Sequence, residues 1–153
     1  MSAIDSSANY NLHMKDLSRP DELPSDVLEG AVLRGNEYGW ATASFPVALA
    51  RAETHGFACL GGQFQFRLND GSTCEMYWLN ADSKERMPEE SWADYSRRSC
   101  SEVKESFERL ISGTDFQKEA SGWGLEDAAN NLVFVAYFVT AADLAELAAR
   151  KLA

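Results

Sequence analysis

Between residues 63 and 68 the chain reads QFQFRL, so Phe64, Phe66 and Leu68 alternate with Gln63, Gln65 and Arg67. Alternation is the period of a strand, whose successive side chains point to opposite faces, and it predicts a half-buried antiparallel strand with its aromatic side inward. The apolar run FACL precedes it, ending at Gly61-Gly62, and TCEMYWL follows it. Asp70-Gly71 lies between the runs and supplies turn residues, because glycine accepts positive φ without steric cost. The pattern predicts a strand followed by a hairpin over 63 to 79. The segment LVFVAYFV, 132 to 139, is β-branched, aromatic and apolar on both faces, which predicts a strand in the centre of the sheet.

Elsewhere the spacing is helical. In SFPVALARAETHG, Ser44 can cap, Pro46 is tolerated in the first turn and Gly56 ends the run. Trp92, Tyr95, Ser99, Val103, Phe107, Leu110 and Ile111 recur at helical intervals between a Ser91 cap, supported by Asp94, and Gly113. That predicts an amphipathic helix of about five turns. After Thr140, which can cap, Leu144, Leu147, Ala148 and Leu152 form an apolar stripe, with Arg150 and Lys151 near the negative helix end. ADSKERMPEES and SGWGLEDAANN read as loops, and residues 1 to 30, broken by Pro20 and Pro24, as a loosely structured arm. The fold class expected is α+β: one domain over 1–153, a small mixed or antiparallel sheet, and helices packed mainly on one face, those starting near Ser44 and Ser91 among them.

Composition narrows the function classes. With 153 residues, 45% hydrophobic and 25% charged, the chain has the size and balance of one globular domain that folds without metal or disulfides. Its formal net charge is −10, which repels nucleic acid and anionic membrane; it reads first as a means of solubility and second as an acidic face that steers a basic partner protein. Neither nucleic acid nor membrane is therefore expected as a partner. Three cysteines, Cys59, Cys74 and Cys100, form no C-x-x-C pair and read as reduced cytosolic thiols. The first twenty residues lack a basic and an apolar export segment, so a cytoplasmic location is expected.

Catalytic constellations are sparse. The two histidines, His13 and His55, offer few members for a metal site or triad, so no metal, cofactor or catalytic residue is expected. His55 precedes Cys59 by four residues, but Gly56 breaks the helix between them, and a thiol within FACL reads as buried rather than nucleophilic. Gly61-Gly62 lacks the lysine of a phosphate loop and the third glycine of a dinucleotide fingerprint, and reads as a bulge or tight turn. The carboxylate pairs Glu89/Glu90, Glu126/Asp127 and Asp82/Glu85 lie in polar loops and read as solvated surface. Trp78, Trp92 and Trp123 border charged or Gly-rich loops, where a tryptophan either seals the core edge or anchors a partner. The strongest candidate surface combines Trp78 and Trp92 with Asp82, Glu85, Glu89, Glu90 and Asp94: apolar anchors beside long-range steering charge.

EYGW before a helix, HGFACLGG entering the sheet, a strand ending in MYWLN, and ESWADYSRRSCSEVKESFERL follow one another over about residues 36 to 112. This order resembles the immunity protein 40 family and related immunity proteins of bacterial polymorphic-toxin systems. Trp40, Gly61, Gly62, Trp78, Trp92 and Tyr95 match its pattern, most of them as core or turn residues. The polar arm before residue 30 and the strand and helix after residue 120 depart from it. The resemblance implies a cytoplasmic antidote with no reaction of its own, which binds a cognate toxin protein and occludes it, a basic nuclease-type domain being one candidate. Two other classes stay open: an adaptor or structural subunit, marked by a large exposed apolar patch, and a small hydrolase, marked by two acidic groups converging in a pocket.

Overall fold

The computed structural model describes residues 23–127 and 130–152. Five strands, β1 (Ala31–Arg34), β2 (Glu37–Ala41), β3 (Ala58–Arg67), β4 (Thr73–Asp82) and β5 (Leu132–Val139), form a sheet in the order β1-β2-β5-β3-β4. Every pairing is antiparallel. Among the described residues four helices accompany them: α1 (Phe45–Thr54), α2 (Trp92–Gly113), α3 (Phe116–Gly122) and α4 (Ala141–Leu152). The architecture is α+β, and β5 takes the central place that its two-sided apolar sequence predicts.

Alternation along β5 divides the core. Phe134, Ala136 and Phe138 face a large cluster with Trp40, Phe45, Phe64, Phe66 and Phe107, packed under α1 and α2. Phe116 and Ala120 of α3 join that side. Val135, Tyr137 and Val139 face the opposite way, onto Leu144 and Leu147 of α4. Three helices therefore cover one face and the fourth closes part of the other.

Two of the three expected helix caps form. Ser91 Oγ accepts from Asp94 N at 3.1 Å, and Thr140 and Asp143 exchange reciprocal bonds of 3.0 and 3.1 Å at the start of α4. Ser44 occupies the cap position of α1 but makes no side-chain cap bond.

Several expectations change. Of the arm expected over residues 1–30, residues 1–22 lie outside the described residues. Residues 23–30 form turns that are firmly packed: Val27 is buried and its carbonyl accepts from Trp40 Nε1 at 2.9 Å. The hairpin β1–β2 and helix α3 were not foreseen. Of the bulge or tight turn expected at Gly61-Gly62, the structure has the bulge, and β3 runs through both glycines as one strand. Its register against β5 steps from Cys59↔Phe138 to Gly61↔Tyr137, which leaves Leu60 as the extra residue of a bulge. Gly61 has φ +139, a conformation L side chains rarely adopt, and a β-carbon there would lie 2.8 Å from Ala81 O.

Gln63, Gln65 and Arg67 were expected to face solvent, and all three are buried. Arg67 explains much of this. It donates from Nε to Gln65 Oε1 (2.9 Å), from Nη1 to Val32 O (2.6 Å) and from Nη2 to Glu37 O (3.0 Å). Strand β5 lies between β3 and β2 in the sheet, so the guanidinium reaches across it to these two carbonyls.

Candidate functional site

The acidic loop runs over residues 83–91, between β4 and α2. Arg98, on the second turn of α2, holds it. Its Nε and Nη2 bind Glu90 side-on at 2.6 and 2.8 Å, and Nη1 reaches Glu102 at 2.9 Å, one helical turn on. Nη2 and Nη1 also donate to the carbonyls of Glu85 (3.0 Å) and Lys84 (3.3 Å). The guanidinium lies 5.3 Å from the Tyr95 ring. One side chain thus fixes the loop at three points.

The electrostatics follow from that fork. Hydrogen bonding to Arg98 holds the Glu90 carboxyl down at about 2, and the same contact raises Arg98. A carboxyl held ionised is the reverse of what a general acid requires. Asp82, at the end of β4, shifts upward through desolvation, opposed by a hydrogen bond from Asn80 Nδ2 at 2.8 Å. The environments of the two carboxylates differ, and no hydrogen bond joins them among the described residues.

The seven residues of the sequence-derived surface separate into groups. Glu85 and Glu89 are exposed and make no side-chain ion pair among the described residues. Glu90 is turned inward to Arg98 and is not available as a solvated charge. Asp94 pairs with Arg97 at 3.2 Å on the exposed side of α2. Trp92 is half-buried; its Nε1 donates to Gly56 O at 2.7 Å, its ring meets Tyr95 edge-on, and Arg86 stacks over it at 5.3 Å. It fastens the start of α2 to the end of α1. Between them, Met87 projects to solvent with 55% of its surface exposed.

Trp78 belongs to a different neighbourhood. The β3–β4 register passes from Gln63↔Asn80 to Phe64↔Met76, so Tyr77, Trp78 and Leu79 form a bulge on β4. Bulges re-aim side chains, and here Trp78 is 56% exposed with its Nε1 donating to Glu119 of α3 at 2.7 Å. Trp123 closes α3 one helical turn beyond Glu119 and is also exposed, at 44%. The structure thus gives two aromatic stations, Trp92 beside the acidic loop and Trp78 beside α3.

Other chemistry-bearing residues have internal roles. Cys59, Cys74 and Cys100 are buried and unbridged. Burial drives the Cys59 thiol well above its ordinary value and Cys100 up to about 12, so neither supplies thiolate at neutral pH. His55 Nε2 meets Asp26 Oδ1 at 2.9 Å, not Cys59. Among the described residues no group of three or more His, Cys, Asp or Glu side chains is placed to hold a metal ion, and no helix is long and apolar enough to cross a membrane.

Arg98 is the residue that sequence reasoning missed. Its spacing from Glu102 was visible as an i,i+4 pair, but its grip on Glu90 requires α2 to lie alongside the loop. Compared with protein-family models, with curated proteins and with solved structures, the chain finds no match.

Proposed function

We propose that this chain is an immunity protein, which binds a cognate bacterial toxin domain and neutralises it by occlusion in the cytoplasm. The observation that carries the reading is the exposed loop 83–91, fixed by Arg98 before any partner arrives and presenting the carboxylates of Glu85 and Glu89 beside Lys84 and Arg86. A preorganised loop spares the ordering cost of association, and outward carboxylates steer a basic partner. Glu85 and Glu89 supply the steering and Met87 an apolar contact. The resemblance over residues 36 to 112 points the same way.

A second reading, an adaptor or structural subunit, draws on β1. This edge strand exposes Val32 (60%) and Leu33 (43%), and an apolar sheet edge is a template for pairing with another chain.

The test takes the product of the open reading frame upstream of this chain, which this reading requires to end in a toxin-like domain. Association is followed over a salt series for the wild type and for Glu85→Lys with Glu89→Lys. The double reversal should slow association about tenfold and flatten its salt dependence, with stability unchanged to within about 0.5 kcal/mol. No complex with that domain, or an unaltered association rate, refutes the reading. Complex formation lost on Leu33→Lys and retained in the double reversal would favour the adaptor instead.

A further inference from the structure

We infer that the cavity between the Leu60 bulge, the start of the acidic loop and α4 is a binding site for a small carboxylic acid with an apolar tail. Its volume is about 270 Å3. At ~30 Å3 per water this is room for about nine waters, comparable with a ligand of some eight to ten non-hydrogen atoms. Leu60, Tyr95, Leu144 and Leu147 give it apolar walls. An apolar pocket with a few polar groups at its mouth is the usual form of a small-ligand site.

The walls belong to the fold's fixed parts. Leu60 is the residue that the β3–β5 register leaves over, and Ser83 fastens the loop to this bulge, donating from its hydroxyl to Cys59 O at 2.6 Å and from its backbone N–H to Leu60 O at 3.2 Å. Tyr95 and Leu147 are both buried in the second-face cluster. The cavity is framed by β3, the loop and two helices, so no single flexible segment makes it.

Charge at the mouth selects the head group. Arg86 and Lys151 both line the cavity. Arg86 commits Nε and Nη2 to Glu90 O, and its Nη1 makes no hydrogen bond among the described residues. Lys151 makes no ion pair among them. Glu85 lines the same mouth and supplies the one opposing charge. Two cations against one anion favour a single negative charge. An uncharged head forgoes the charge-assisted bonds, and a cationic head meets two like charges.

Isothermal titration with octanoate, octan-1-ol and octyltrimethylammonium, all below micelle-forming concentration, tests this. Octanoate should bind saturably at one site, octan-1-ol about tenfold or more weakly, as expected for a lost hydrogen bond to a charged group, and the ammonium not at all. Ala148 is exposed and lines the cavity, so Ala148→Trp should fill it and abolish octanoate binding. Lys151→Gln, a surface change, should reduce the preference of octanoate over octan-1-ol; if Ala148→Trp fails to fold, this variant decides alone. Absence of saturable octanoate binding, equal affinity for acid and alcohol, or binding undiminished in a folded Ala148→Trp protein overturns the assignment.

Discussion

Arg98 makes five hydrogen bonds to four residues, so its removal leaves Glu90 Oε2 and two loop carbonyls without their protein donor, while Glu90 Oε1 keeps only Met87 N. Losing charge-assisted partners at a mostly covered site costs about 1–3 kcal/mol. Arg98→Ala should lower stability by that amount in urea unfolding, with the greatest loss of amide protection in residues 84–90. The pH dependence has a definite sign. Glu90 falls from an ordinary 4.5 to about 2 in the folded chain, so its contribution is complete above pH 4.5 and is lost as pH drops from there towards 2. Melting followed through that window should decline in the wild type and decline less in Glu90→Gln. Equal slopes in the two proteins would show that the fork with Arg98 does not govern the loop.

At the scale of elements, two adjacent glycines set how β3 meets its neighbours. A β-carbon on Gly62 would collide with Val135 O and lie 2.6 Å from the Phe134 ring, both on β5. Gly62→Ala should therefore cost about 3 kcal/mol, the upper end of overpacking penalties, read as a fall in melting temperature. Gly35→Ala meets no atom within 4 Å, and its cost should be limited to the strain of φ +63. Much of this level was legible. The hairpin of β3 and β4, the central β5 and the extent of α2 follow from period two, Asp70-Gly71 and the Ser91 cap, all of them local signals. What escaped was short or depended on distant partners. β1 and β2 have four and five residues around a Gly35-Asn36 turn, and α3 has seven, too few for a period to declare itself. Burial of Arg67, which in turn bonds Gln65, depends on carbonyls of β1 and β2 some thirty residues away in sequence. The charge of the loop was readable, whereas the inward turn of Glu90 required knowing which face of α2 lies beside it.

The whole sheet depends on β5, which pairs with β2 on one side and β3 on the other. Strand β5 gives Phe134, Ala136 and Phe138 to one cluster and Val135, Tyr137 and Val139 to the other, so both are completed by the strand that comes last in sequence. A chain ending at residue 131 should lack a cooperative thermal transition and show collapsed amide dispersion, because two separate hairpins are marginal in water. A cooperative melt of that fragment would contradict the central role of β5. The same topology has a consequence for biosynthesis. While a ribosome is still adding the residues between β3 and β5, the inner edges of β2 and β3 both await a partner, an interval of several seconds at about 5–20 residues per second. Those open edges are the surfaces on which nascent chains associate wrongly, so chaperone demand and misassembly on crowded polysomes should be greatest just before residue 132 emerges and fall once Val139 is free to pair.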